Sequence, residues 1–158
     1  HFIDKTVDPN IIEDCVEKAS RYPKSCSRES ARLVQFIGKK EEASKCFSGM
    51  TAFEYGKYEL FAVVVDLSAY DPRSEIFAPY IDGSIFATGF CDALWKRGVG
   101  SCMLNWSSQT KAQEHRLRNL SGLSETDLVV MGVATGYPAF VSFHAPRKRK
   151  NYLLERVE

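Results

Sequence analysis

The sequence predicts one domain in which helices and strands alternate around a small sheet, of the α/β or α+β class. Three observations predict it. The chain has 158 residues, 44% hydrophobic and 26% charged, which is the size and composition of a single globular domain with its own core. Two runs, residues 60–65 and 128–133, are apolar throughout, as strands covered on both faces are. Between them residues 79–97 form a segment too long for a strand and apolar nearly all round, which predicts a long buried central helix.

The elements follow in order. Asp8 is placed as an N-cap with Pro9 at the first helical position, and Ile11, Ile12, Cys15, Val16 and Ala19 share a helical face, so a helix is predicted to end near Ser20. Residues 22–30 carry a proline, small polar residues and mixed charge and read as a loop, one long enough in a compact domain to serve a function. It leads into a strand over 32–37. A short helix is predicted within 39–47. Gly98 stops the central helix, residues 99–104 follow as a strand or extended loop, and a further helix covers 111–120. Gly136-Tyr-Pro138 turns the chain out of the core, ahead of an amphipathic or extended tail over 152–158.

Composition narrows the function classes. Lys and Arg number 21 against 20 Asp and Glu, a net charge of +1, so any anion site must be local rather than a property of the bulk field. Aromatic content of 12% and a mean hydropathy of −0.25 argue against disorder, and no apolar run approaches the ~18 residues of a spanning helix. Cys15, Cys26, Cys46, Cys91 and Cys102 are odd in number and scattered, with no C-x-x-C and no zinc spacing, so the expectation is a soluble protein of the reducing cytoplasm with no metal site. The opening residues His-Phe-Ile-Asp-Lys-Thr do not read as a signal peptide, and the sequons at Asn105 and Asn119 are then coincidental.

There is no G-x-G-x-x-G after a strand, no phosphate-loop motif, no H-E-x-x-H and no G-x-S-x-G elbow. Two features remain. Arg147-Lys-Arg-Lys150 is a run of four cations able to hold phosphate or carboxylate; its plainer reading is a solvated surface run. The Ser/Arg-rich loop from Ser25 to Ser30 and the stretch Gly98-Val-Gly-Ser-Cys-Met-Leu-Asn-Trp106 have small residues that let main-chain N–H groups approach a planar or anionic ligand. The plainer reading of the second stretch is a helix C-cap followed by a buried strand.

In this order along the chain the segments resemble the FMN-dependent nitroreductase-like family. Phe2-Ile-Asp-Lys-Thr-Val-Asp-Pro9 resembles the family's R-x-F-x-D-K-x-V-x run, and Pro23-Lys-Ser-Cys-Ser-Arg-Glu29 lies over its P-S-x-x-N-R-Q loop. Ile81-Asp-Gly-Ser-Ile85 through Trp106 is similar to the family's buried helix followed by G-L-G-S-C and an aromatic. Val133-Ala-Thr-Gly-Tyr-Pro138 resembles its i-x-x-G-Y-P turn, and Arg147-x-Arg149 takes the place of its phosphate-binding R-x-R pair.

The resemblance implies an α+β domain over residues 1–158, with a central, mostly antiparallel sheet flanked by helices, in an intertwined homodimer with FMN at the subunit interface. It implies that Arg147 and Arg149 pair with the phosphate, that the main chain around Leu104 and Asn105 faces the flavin ring near N5, and that Ser25, Ser27 and Arg28 reach it from the partner. The activity implied is ping-pong transfer from NAD(P)H through FMN to a small organic acceptor, with no nucleic acid or membrane partner and no catalytic side chain.

Three features depart from the family pattern. The family's R-R-S-x-R segment lies ahead of the position where this sequence begins. Lys24, Ser27 and Glu29 replace the usual Ser, Asn and Gln, and the Glu29 carboxylate would repel a reduced flavin unless Arg28 or Arg32 pairs with it. The stretch between Val63 and Ile81, where longer members carry a substrate-covering helical excursion, is short. The alternative is a dimeric binding module of the same fold with weak or lost FMN binding. A basic-tail anion or nucleic-acid binder rests on residues 147–150 alone.

Overall fold

In the structure, a computed structural model, the Asp8 carboxylate accepts the Asn10 N–H at 2.9 Å and starts α1 (Pro9–Ser20), with Pro9 inside its first turn as the sequence predicts. Residues 1–50, 53, 58–107, 109–140, 145–148, 153 and 157 are described. Ile12, Cys15 and Ala19 bury one face of α1. The loop that follows enters β1 (Ala31–Gln35), and a single helical turn and a half makes α2 (Lys40–Ser44). Then come β2 (Glu59–Asp66), α3 (Ala78–Trp95), β3 (Gly100–Leu104), α4 (Lys111–Ser121) and β4 (Asp127–Gly136). The 99–104 segment, open between strand and loop in the sequence, is a strand. Gly98 at φ +72° ends α3 and lets the Val99 N–H return to Leu94 O at 3.0 Å. Thr110 and Gln113 form a reciprocal capping box at the start of α4, and Gly122, at φ +66°, ends it.

Among the described residues four strands form one antiparallel sheet in the order β1-β2-β4-β3. The class is therefore α+β. β2 is apolar along its length because both of its faces are covered. Phe61 and Val63 face α1 and α3 together with Val133, Phe86, Phe90 and Leu94. Leu60, Ala62 and Val64 face the other way, packing with Phe36, Ala43, Phe47 and Leu117 of the α2 and α4 layer. Close approaches set the layer spacing: a Cβ on Gly83 of α3 would stand 2.7 Å from Val130 Cγ2, and one on Gly132 of β4 would stand 2.7 Å from the Phe47 ring.

α3 buries Asp82, Gly83, Phe86, Ala87, Phe90, Ala93 and Leu94 against the sheet and α1. Its opposite side, with Phe77 74% and Trp95 68% exposed beside Tyr80 and Ile81, stands open in the single chain. That explains why the helix reads as apolar all round. Among the described residues no helix is long and apolar enough to cross a membrane. The tail over 152–158 lies outside the described residues apart from Leu153 and Val157.

Candidate functional site

The loop between α1 and β1 turns on two residues in a conformation that the sequence pattern does not signal. After Ser20 the chain makes a tight turn, Ser25–Ser27, in which Cys26 (φ 51°) and Ser27 (φ 56°) both adopt the left-handed conformation. Two consecutive non-glycine residues there cost on the order of 1 kcal/mol or more each and persist only where surrounding bonds over-determine them. Those bonds come from the start of α3 and the segment before it. Ser25 donates its N–H (2.9 Å) and its hydroxyl (3.0 Å) to one oxygen of buried Asp82, and the Tyr70 hydroxyl donates to the other oxygen at 2.7 Å. Ser30, 2.6 Å from the Tyr70 hydroxyl, must then be the donor in that pair. Burial, reinforced by the bond to Asp82, pushes the Tyr70 phenol up to about 12, so it stays protonated as the donor.

Arg28 is tied at the same place. Its Nη1 donates to Glu75 Oε1 at 2.8 Å, and its guanidinium lies 5.0 Å from the Tyr70 ring centroid. The bond to Arg28 holds Glu75 below its ordinary carboxylate range. Of the three loop residues the sequence singles out, Ser25 and Arg28 are thus engaged inside the chain, while Ser27 and its neighbour Cys26 are exposed. Glu29 pairs with neither Arg28 nor Arg32. Its Oε1 receives Lys24 Nζ at 2.7 Å, and Arg32 goes to Asp127. A narrow hollow beside the loop is lined by Lys24, Arg28, Glu29, Ser30, Asp82 and Phe86, among others.

Leu104 ends β3, which among the described residues is an edge strand of the sheet, and Asn105 follows it. Ser101, Cys102 and Met103 are exposed, whereas Leu104 is buried under Phe47 and Trp106. Asn105 makes an isolated bridge to Ser48, its carbonyl accepts Gln109 Nε2 at 3.0 Å, and its side chain receives the Ser107 N–H at 2.9 Å.

The sheet keeps these two groups apart. The Ser25–Arg28 loop enters at β1 on one edge, and Leu104 and Asn105 stand on the other, with β2 and β4 between. Three strand spacings put those edges about 14 Å apart before any offset along the strands. Arg147 is exposed beyond β4 and donates to Ala145 O at 3.0 Å; Arg149 lies outside the described residues. All five cysteines are free thiols, and no cluster of three or more potential metal ligands occurs among the described residues. Asp82, Tyr70 and Glu75 escape sequence reasoning, although a lone carboxylate in the apolar run around Ile81-Asp-Gly is a signal that could have found the first.

No protein-family model and no curated protein sequence matches the chain. Solved structures do. A nitroreductase family protein from Streptococcus pneumoniae superposes with a TM-score of 0.84 at 15% identity, covering 99% of this chain and 93% of that one. An NADPH:FMN oxidoreductase from Vibrio harveyi, complexed with NAD+, gives 0.83 at 16% identity over 99% and 71%. An FMN-dependent nitroreductase from Clostridium difficile gives 0.76 at 15% identity over 92% and 84%. At such low identity the likeness speaks to the backbone, and it covers 92–99% of this chain: the chain has the nitroreductase-like fold.

Proposed function

We propose that the chain is the subunit of a homodimeric, FMN-dependent oxidoreductase that takes reducing equivalents from NAD(P)H and passes them to a small organic acceptor in a ping-pong cycle. One observation carries the reading. The two segments expected to touch one planar ligand sit on opposite edges of the sheet, a placement that supports a site shared between two copies of the chain. The open apolar face of α3 supplies a surface for such a second chain.

The donor set suits FMN: edge-strand main chain for a planar ring, exposed loop residues opposite, and cations for a phosphate. Arg147 and Arg149 would hold the phosphate by charge-assisted hydrogen bonds. The main chain around Leu104 and Asn105 would orient the ring, where fixed donors favour the electron-rich reduced state. Ser27 of a second copy would close the other side. When bound, FMN supplies reversible hydride chemistry, so the protein's work is to bind, orient and exclude water. Lys24 offsets the Glu29 charge that would otherwise disfavour a reduced flavin, which weakens the case for a fold that has lost its cofactor.

The test is FMN titration followed by melting temperature and NAD(P)H oxidation. A ligand at a hundred times its Kd stabilises the native state by about 2.7 kcal/mol, so the melting temperature should rise several degrees. Arg147→Ala should weaken retention by about tenfold, the worth of one charge-assisted hydrogen bond. No rise with FMN would end the flavin reading; binding without NAD(P)H oxidation would favour the binding module.

A further inference from the structure

We propose that Asp82 is a positioning residue: it clamps Ser25 and so sets the left-handed Cys26–Ser27 turn, making Ser25 and Arg28 anchors and leaving Cys26 and Ser27 as the residues presented to a ligand. The proposal deepens the flavin reading above and rests on it only for the identity of the ligand. The clamp has two ends. Asp82, 3% exposed, accepts both donors of Ser25 on one oxygen and the Tyr70 hydroxyl on the other. Arg28, two residues past the strained Cys26, is fixed to Glu75, which is itself held by the Asp71 N–H at 2.9 Å. Between those fixed points the backbone closes with Arg28 N–H to Ser25 O at 3.0 Å.

The chemistry assigns opposite roles within four residues. A hydroxyl has one proton, and that of Ser25 is spent on Asp82. A ligand arriving at this loop therefore meets a preorganised turn, whose geometry costs nothing further on binding.

The experiment measures amide exchange of Ser25 to Arg28 and the affinity for FMN in Asp82→Ala, Asp82→Asn, Ser25→Ala and the Asp82→Ala/Ser25→Ala double variant. Asp82→Ala should speed exchange at Ser25 and Arg28 at least tenfold and weaken FMN binding about tenfold, the scale of hydrogen bonds to a charged group. Asp82→Asn keeps an acceptor for Ser25 and should bind FMN within about threefold of wild type. Ser25→Ala should weaken binding alone but add less than about twofold to Asp82→Ala, because both act through one contact. Additive effects would mean that Ser25 touches the ligand directly, and unchanged exchange in Asp82→Ala would mean that no clamp exists; either overturns the proposal. If Asp82→Ala does not fold, Ser25→Ala carries the exchange arm: loss of its hydroxyl bond to Asp82 should speed exchange at Ser25 and Arg28, and unchanged exchange overturns the clamp. A wild-type chain that ignores FMN removes the flavin reading, and the exchange arm then decides the clamp by itself.

Discussion

Asp127, buried at the first position of β4, joins the strand to the surface by two contacts. Its Oδ1 receives Arg32 Nη1 of β1 at 2.8 Å, and its Oδ2 the Ser124 N–H at 2.9 Å. The Arg32 bond is the main reason its carboxyl drops from 3.8 to about 2. A carboxylate with a native pKa below its unfolded value stabilises the fold above the unfolded pKa and loses that contribution as pH falls through the native one. The shift corresponds to about 2 kcal/mol, present at neutral pH and gone near pH 2. Urea melts of Asp127→Asn should therefore show a deficit of about that size at neutral pH which closes as pH falls toward 2. A deficit equally large at both ends would assign Asp127 a purely steric role. Residue-level chemistry of this kind is poorly legible in the sequence, since Arg32–Asp127, Arg28–Glu75 and Ser25–Asp82 all join positions far apart in the chain. Loop composition singles out Ser25 and Arg28, but only the fold shows that their partners are internal.

Helices and strands were far more legible, because their signals are local. Pro9 and Gly98 mark ends within a few residues of the observed ones, and the helix expected over 111–120 is α4. What the pattern does not carry is how closely elements approach. α1 leads into Tyr22, whose ring lies on α3 where a Cβ on Gly89 would be 2.8 Å from Tyr22 Cδ2 and 2.9 Å from Cγ, and whose hydroxyl donates to Asp92 at 2.7 Å. Alanine in an exposed helix interior is favoured over glycine by about 1 kcal/mol. At Gly89 the sign should reverse. The added methyl must displace a ring that is pinned by its hydrogen bond, so Gly89→Ala should destabilise by about 1–3 kcal/mol in a denaturant melt. Tyr22→Ala in the same chain should relieve most of that loss. A Gly89→Ala chain as stable as the wild type would show that the α1–α3 contact is loose.

For the whole molecule, the decisive fact is that α3 is apolar on two sides while one chain covers only one of them. Phe77, Tyr80 and Ile81 stand on the open side at one-turn spacing, with Trp95 at the far end. Exposed apolar side chains grouped on one helix face support an interface with a second copy, and the placement of the 25–28 loop and the end of β3 on opposite sheet edges supports the same proposal. Ile81→Lys discriminates because it is harmless in a single chain, where the residue is 55% exposed, but leaves a charge in the interface of a pair. By sedimentation the wild type should run as two chains and Ile81→Lys as one. The variant should also lose FMN retention, although no predicted FMN-contacting residue has been altered. That coupling is the informative part: a monomeric variant that still held FMN would place the whole site within one chain, and a wild type already monomeric would leave the face of α3 to some other partner.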